Sequence, residues 1–187
     1  MNEWIQEIDY DRLKEPSDYF RVLRPDGDDE IEFYKKVVKF KKMLMDRYLW
    51  VSDEYRTPQA IDYIVGSYFS GNQCTVVYEA GDFQGMLAFV NIIPDFRADV
   101  MFKIWDKNLW SKSFVRAGRE ILDLYMNEFR LKRLSTSTAD PKMEKFCHMF
   151  GFKSEGCHPY SFRWRGKYYD KIVLGRCVES VCRYGDD

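Results

Sequence analysis

The segment LSTSTADPKMEKFCHMFGFKSEGCHPYSFRWRGKYYDKIVL, which begins at Leu134, narrows the possible folds of this chain more than any other. It opens with a β-branched and Ser/Thr run. Asp140 then offers a side-chain oxygen to orphan helix N–H groups and Pro141 has no N–H to lose, so a helix starts there. Met143, Phe146, Cys147 and Phe150 recur at helical spacing, and Gly151 stands where a left-handed terminal residue is wanted. Apolar positions then alternate on both sides of Arg165-Gly166, at Tyr160, Phe162 and Trp164 and again at Tyr168, Ile172 and Leu174. That alternation predicts a hairpin with one buried face.

The patterns DPKMEKFCHMFGFKSEG and RGKYYDKIVLG resemble the C-terminal half of the GCN5-related N-acetyltransferases (GNATs), especially the branch that acetylates ribosomal-protein and other amino termini. In that family an Asn stands eleven residues before the Gly of the GF pair, and Asp140 holds that place relative to Gly151. The resemblance spans residues 19–178. It implies an α/β fold in which a mixed, mostly antiparallel sheet of about seven strands is flanked by helices. The parallel pair falls at the fourth and fifth strands, near Ala98–Trp105 and Arg133–Thr138.

The rest of the chain reads consistently with that order. Residues 1–17 form a polar helix or arm whose apolar points are Trp4, Ile5, Ile8 and Leu13, ended by Pro16. The arm either packs on the domain at 18–178 or docks on a partner. Tyr19–Leu23 reads as a first strand and Pro25-Asp26-Gly27 as a turn. Asp28, Asp29 and Glu30 then favour the positive end of a helix carrying Tyr34, Val37, Val38, Leu44, Met45 and Tyr48. Thr57-Pro58 opens a second helix, stopped by Gly71-Asn72. Cys74–Tyr78 and Gly85–Ile93 are strands joined by Ala80-Gly81-Asp82. Asp106–Ser113 reads as a loop before a helix marked by Phe114, Gly118, Ile121, Leu122, Tyr125 and Phe129, and residues 179–187 as a polar tail.

Composition excludes several classes. The formal charge of -1 gives no basic field for nucleic acid or an anionic membrane. No apolar run approaches the roughly 18 residues a bilayer span needs, and MNEWIQEIDYDRLKE lacks a basic-then-apolar leader pattern. A cytoplasmic protein is expected. The five cysteines are odd in number and lack C-x-x-C spacing, so reduced thiols and no metal site are expected.

The resemblance also implies a site. Acetyl-CoA would be the co-substrate, with pantetheine on the backbone of Ile104 and Trp105 and pyrophosphate on the helix start formed by Phe114, Arg116, Ala117, Gly118 and Arg119. A helix N-terminus suits this because free N–H groups and the dipole both favour anions. The family's loop runs Gln or Arg, two residues, Gly, one residue, Gly or Ala. With Gly118 as its last member, Ser113 and Arg116 replace the first two, so Arg116 either obstructs a phosphate or ligates it; otherwise Arg116 and Arg119 make a solvated face. Asp140 replaces the family's Asn near the coenzyme. Cys147 occupies the position of a tyrosine that protonates the departing thiolate, and buried packing is its other reading. Asp99 lies near a strand carboxylate that could take the amine proton.

Two functions are compatible with these residues. One is acetyl transfer from acetyl-CoA to an amine acceptor. The other is a non-catalytic GNAT-fold assembly component such as a bacteriophage head or virion protein, engaging protein partners. The altered phosphate loop and the missing tyrosine favour the second, and the fold favours the first.

Overall fold

A computed structural model describes residues 19–23, 29–46, 49, 51–69 and 75–178. The arm expected at 1–17, the turn at Pro25-Asp26-Gly27, the helix stop at Gly71-Asn72 and the tail at 179–187 lie outside these residues. Seven strands form one sheet: β1 (Phe20–Val22), β2 (Val76–Ala80), β3 (Gly85–Ile93), β4 (Arg97–Ile104), β5 (Arg133–Thr138), β6 (Lys153–Trp164) and β7 (Lys167–Cys177). Their spatial order is β1-β2-β3-β4-β5-β7-β6, and every neighbouring pair is antiparallel except β4 and β5. A parallel pair needs a crossover, supplied here by helix α3 (Lys112–Glu128).

Each helix start has a capping side chain or an N-terminal proline. In α1 (Glu30–Met45) Asp29 Oδ1 accepts from the Ile31 amide at 2.8 Å, and in α2 (Pro58–Phe69) Thr57 Oγ1 accepts from the Ala60 amide at 3.2 Å. Ser111 Oγ caps α3 by accepting from the Phe114 amide at 3.1 Å. Asp140 Oδ1 accepts from the Lys142 amide at 2.9 Å to start α4 (Pro141–Met149). Such caps are worth about 1 kcal/mol each. Gly151 follows α4 at φ +87°, the left-handed conformation glycine adopts without steric cost.

The helices bury both faces of the sheet. Leu87, Phe89, Val100, Phe102 and Leu134 pack against α3 and α4 through Phe114, Ile121, Tyr125, Phe146 and Phe150. On the other face Val77, Met86 and Ala88 pack against Phe40 and Leu44 of α1 and Ile61, Val65 and Phe69 of α2. Each fully buried phenylalanine contributes about 1.5–3 kcal/mol.

Several boundaries and one face differ from the sequence reading; β1 is Phe20–Val22 within the expected Tyr19–Leu23. β2 lies at Val76–Ala80 rather than Cys74–Tyr78, because its register is set by pairing with Gly85–Phe89 across a turn with positive φ at Gly81, Asp82 and Phe83. β4 starts one residue earlier, at Arg97, which pairs with both Ile93 and Arg133. The expected loop at Asp106–Ser113 contains a 3-10 turn at Lys107–Leu109, and α3 already begins at Lys112. β6 has no buried face: residues 153–161 are all exposed, since β6 is the sheet's last strand.

Candidate active site

β4 and β5 pair only at Arg97↔Arg133, Ala98↔Leu134 and Asp99↔Ser135. β4 then continues to Ile104 and β5 to Thr138 with no further pairing between them, while Thr136, Ser137 and Thr138 stay bonded to β7. The strands part, and β4 presents an open backbone edge to the gap. Which groups lie on that edge follows from the β3–β4 ladder, where the Trp105 amide donates to the Gln84 carbonyl at 3.2 Å. Successive residues of a strand send their N–H and C=O to opposite sides. Counting back, Met101 and Lys103 bond toward β3, and Phe102 and Ile104 turn their N–H and C=O into the gap.

Of the two residues expected to hold pantetheine, Ile104 faces the gap, whereas the Trp105 amide is used by Gln84 and its indole Nε1 donates to the Phe83 carbonyl at 3.1 Å. Phe102 was missed because the choice between odd and even positions depends on the β3–β4 register, and the apolar pattern MFKIW leaves that open.

The gap opens into a cavity of about 550 Å³. Alternation along the strands places Met101 and Lys103 of β4, Ser137 of β5 and Lys171 of β7 on the face toward α1 and α2. Tyr63, Ile64 and Tyr68 of α2 form one wall, and Leu49, Ser52, Glu54 and Tyr55 another. Ser161 and Phe162 close the far side from β6. A second cavity, of about 360 Å³, lies between Pro141 and Glu144 on one side and Tyr168, Tyr169 and Asp170 on the other. The two share Thr138, Ala139 and Asp140.

The hairpin tip is fastened to the wall opposite. Asp53 accepts from the Arg165 amide at 3.0 Å and the Gly166 amide at 2.8 Å, and Ser52 Oγ donates to the Arg163 carbonyl at 3.2 Å. The Gly166 amide is the main cause that holds the Asp53 carboxyl below its ordinary value.

Lys103 is the unusual charge of the cavity. It is half-buried, and among the described residues no carboxylate pairs with it. Burial pulls its ammonium down to about 8. Glu54 and Asp140 are the carboxylates that line this cavity, against Lys103 and Lys171. At an effective dielectric of 20 a second ammonium brought to about 6 Å would be repelled by about 3 kcal/mol, and an anion attracted by as much. Tyr68 is also buried enough that its hydroxyl resists ionisation.

The remaining expected site residues are dispersed. Phe114, Ala117 and Gly118 are buried along α3, and a Cβ on Gly118 would lie 2.0 Å from the Phe150 ring. That glycine lets α3 and α4 approach. Arg116 is exposed and pairs with Glu120 at 3.1 Å, whereas Arg119 Nε donates to the Met149 carbonyl at 2.6 Å. The first-turn amides left by the Ser111 cap are those of Lys112 and Ser113, immediately ahead of the expected segment. Asp99 lies in the paired part of β4, outside the cavity lining, and accepts from Asn91 Nδ2 at 2.8 Å. Cys147 is sealed in the core, where burial pushes its thiol up to about 12. Asp140 is the one member of the set besides Ile104 that lines the cavity. Among the described residues no group of three or more His, Cys, Asp or Glu could hold a metal, and no helix is long and apolar enough to cross a membrane.

By sequence the chain matches no family model and no curated protein. By structure it resembles several acetyltransferases. The Vibrio cholerae spermidine N-acetyltransferase in complex with CoA and spermine aligns with a TM-score of 0.61 at 17% identity, over 84% of this chain and 94% of that one. The ribosomal-protein-S5-alanine acetyltransferase of Vibrio fischeri gives 0.59 at 17% identity, over 86% and 92%. The microcin C7 self-immunity acetyltransferase MccE, in complex with acetyl-CoA and AMP, gives 0.60 at 17% identity, over 89% and 98%. Nearly the whole of each neighbour is matched, so the likeness is one of complete folds.

Proposed function

We infer that this chain, which has the GNAT fold, is an N-acetyltransferase that uses acetyl-CoA to acetylate an amine. The observation that carries this reading is the parting of β4 from β5 after Asp99 and Ser135, which frees the backbone of Phe102 and Ile104 beside a cavity large enough for two reactants. Acetyl-CoA supplies an activated acyl thioester. Phe102 and Ile104 would hold its amide-bearing arm as an added strand, because their N–H and C=O groups have no sheet partner. The Lys112 and Ser113 amides at the start of α3 would receive its phosphates, and Lys112 adds a cation there. This fits the chain better than a pyrophosphate seat at Gly118, whose space is occupied by Phe150.

The chemistry rests mainly on positioning, which can supply about 7–11 kcal/mol. Glu54 lines the cavity and no described residue bonds its carboxylate, so it is placed to accept the amine proton through water. Asp140, whose carboxylate already accepts from the Lys142 amide, serves better to orient groups at the base of α4. Tyr68 keeps its proton and can therefore stabilise a departing thiolate as a hydrogen-bond donor rather than as an acid.

The test is a melting shift. Acetyl-CoA at 100 times its Kd should stabilise the protein by about 2.7 kcal/mol. Ile104→Pro removes one N–H from the gap and leaves the β3 ladder intact, so it should weaken binding at least tenfold while the fold persists. No shift at millimolar acetyl-CoA would remove the catalytic reading and leave a GNAT-fold assembly component, such as a virion protein, in its place.

A further inference from the structure

The cavity carries a charge pattern that acetyl transfer does not itself require. Lys103 of β4 and Lys171 of β7 stand on the same sheet face, on either side of the gap, with Ser137 between them. Both side chains line the one cavity that the gap opens into, where a single bound group can meet them. Neither lysine has a carboxylate partner among the described residues, although nine other Lys and Arg side chains are seen in ion pairs, from Lys35 to Arg176. An unpaired, half-buried ammonium is costly, and a chain that retains one inside a cavity has a place for an anion. Around it Tyr63, Ile64, Tyr68 and Met101 are apolar or aromatic, which suits an organic body rather than a bare ion.

Resting on the acetyltransferase reading, we propose that the acceptor is a primary amine that also bears an anionic group, a carboxylate or phosphate, bound by Lys103 with Lys171 and Ser137. The amine end lies toward Glu54. A polycation such as a polyamine would meet two like charges at the floor, with Glu54 at the wall and Asp140 already engaged by the Lys142 amide, so it is disfavoured. The anion pairs with the Lys103 ammonium, and Glu54 accepts the proton of the acceptor's amine through water. Lys103 is in this sense a specificity residue.

The experiment compares matched probes by calorimetry on the full chain, without acetyl-CoA: L-phenylalanine against L-phenylalaninamide, phosphoethanolamine against ethanolamine, and spermidine. The anionic member of at least one pair should bind about tenfold tighter than its neutral counterpart. Which pair responds separates carboxylate from phosphate. Lys103→Met should abolish the preference and leave acetyl-CoA affinity unchanged. Equal or tighter binding of the neutral member or of spermidine, a preference that survives Lys103→Met, or no binding of any probe would each overturn the proposal. Anion preference in a protein that fails to bind acetyl-CoA would overturn only the acetyltransferase reading.

Discussion

Asp53 joins two walls of the cavity by accepting from the amides of Arg165 and Gly166, at 3.0 and 2.8 Å, across more than a hundred residues of chain. Asp53→Ala should accelerate hydrogen exchange at those two amides by roughly tenfold or more, while the β5–β7 amides keep their protection. The Asp53 carboxyl is held below its ordinary value of 3.8 in the folded chain. Its contribution is therefore present above pH 3.8 and is lost as pH falls through the lower folded value, so acid should loosen the hairpin tip first. Amide-resolved exchange between pH 5 and 3 checks this.

Gly118 and Phe150 set the distance between α3 and α4. Gly118→Ala should destabilise the chain by about 1–3 kcal/mol, since the new methyl falls within the Phe150 ring. Phe150→Leu in the same background should recover part of the loss. A denaturant double-mutant cycle measures the coupling.

Lys103→Met should be more stable than the parent at pH 7. The folded ammonium sits at about 8 against 10.5 in the open chain, so the folded form releases its proton first and parental stability rises between those values. Below about 8 the whole cost is present, roughly 3 kcal/mol. The difference between the two proteins should shrink from pH 8 to 10.5. Cys147 acts in the opposite direction at high pH, but it is common to both and cancels.

Most of the fold could be read from local signals. Asp140-Pro141 and Gly151 bounded α4 because capping is a property of two or three adjacent residues. The parallel strand-helix-strand unit came from the family resemblance and is present. What could not be read were quantities set by partners distant in sequence. The apolar alternation at Tyr160, Phe162 and Trp164 predicted a buried face, yet Tyr160 stands exposed, Phe162 lines the cavity and Trp164 packs on Tyr169 of its own hairpin. Lys103 was passed over because one lysine in an apolar strand looks like any solvated position until the α2 wall stands over it. The segment expected at the helix start, Phe114–Arg119, begins two residues late because Ser111 caps a helix that starts at Lys112.

Cys147 should be inert and Glu54 should not. With its thiol raised to about 12 and its side chain in the core, Cys147 should react with iodoacetamide only on unfolding, whereas exposed Cys157 is labelled in the native state. Cys147→Ala should retain turnover within a few-fold. Glu54→Gln should lower kcat by about 10²-fold or more with little change in acetyl-CoA affinity.

The short β4–β5 pairing makes the sheet two plates joined by a narrow weld. One plate is β1 to β4, the other β5, β7 and β6, and three residue pairs connect them. A molecule laid along Phe102 and Ile104 would act as rivets down the open part of that joint. Its effect would then be mechanical as well as chemical: under a pulling force that separates the plates, the loaded protein should rupture at higher load than the empty one, and the increment should vanish for force applied within either plate.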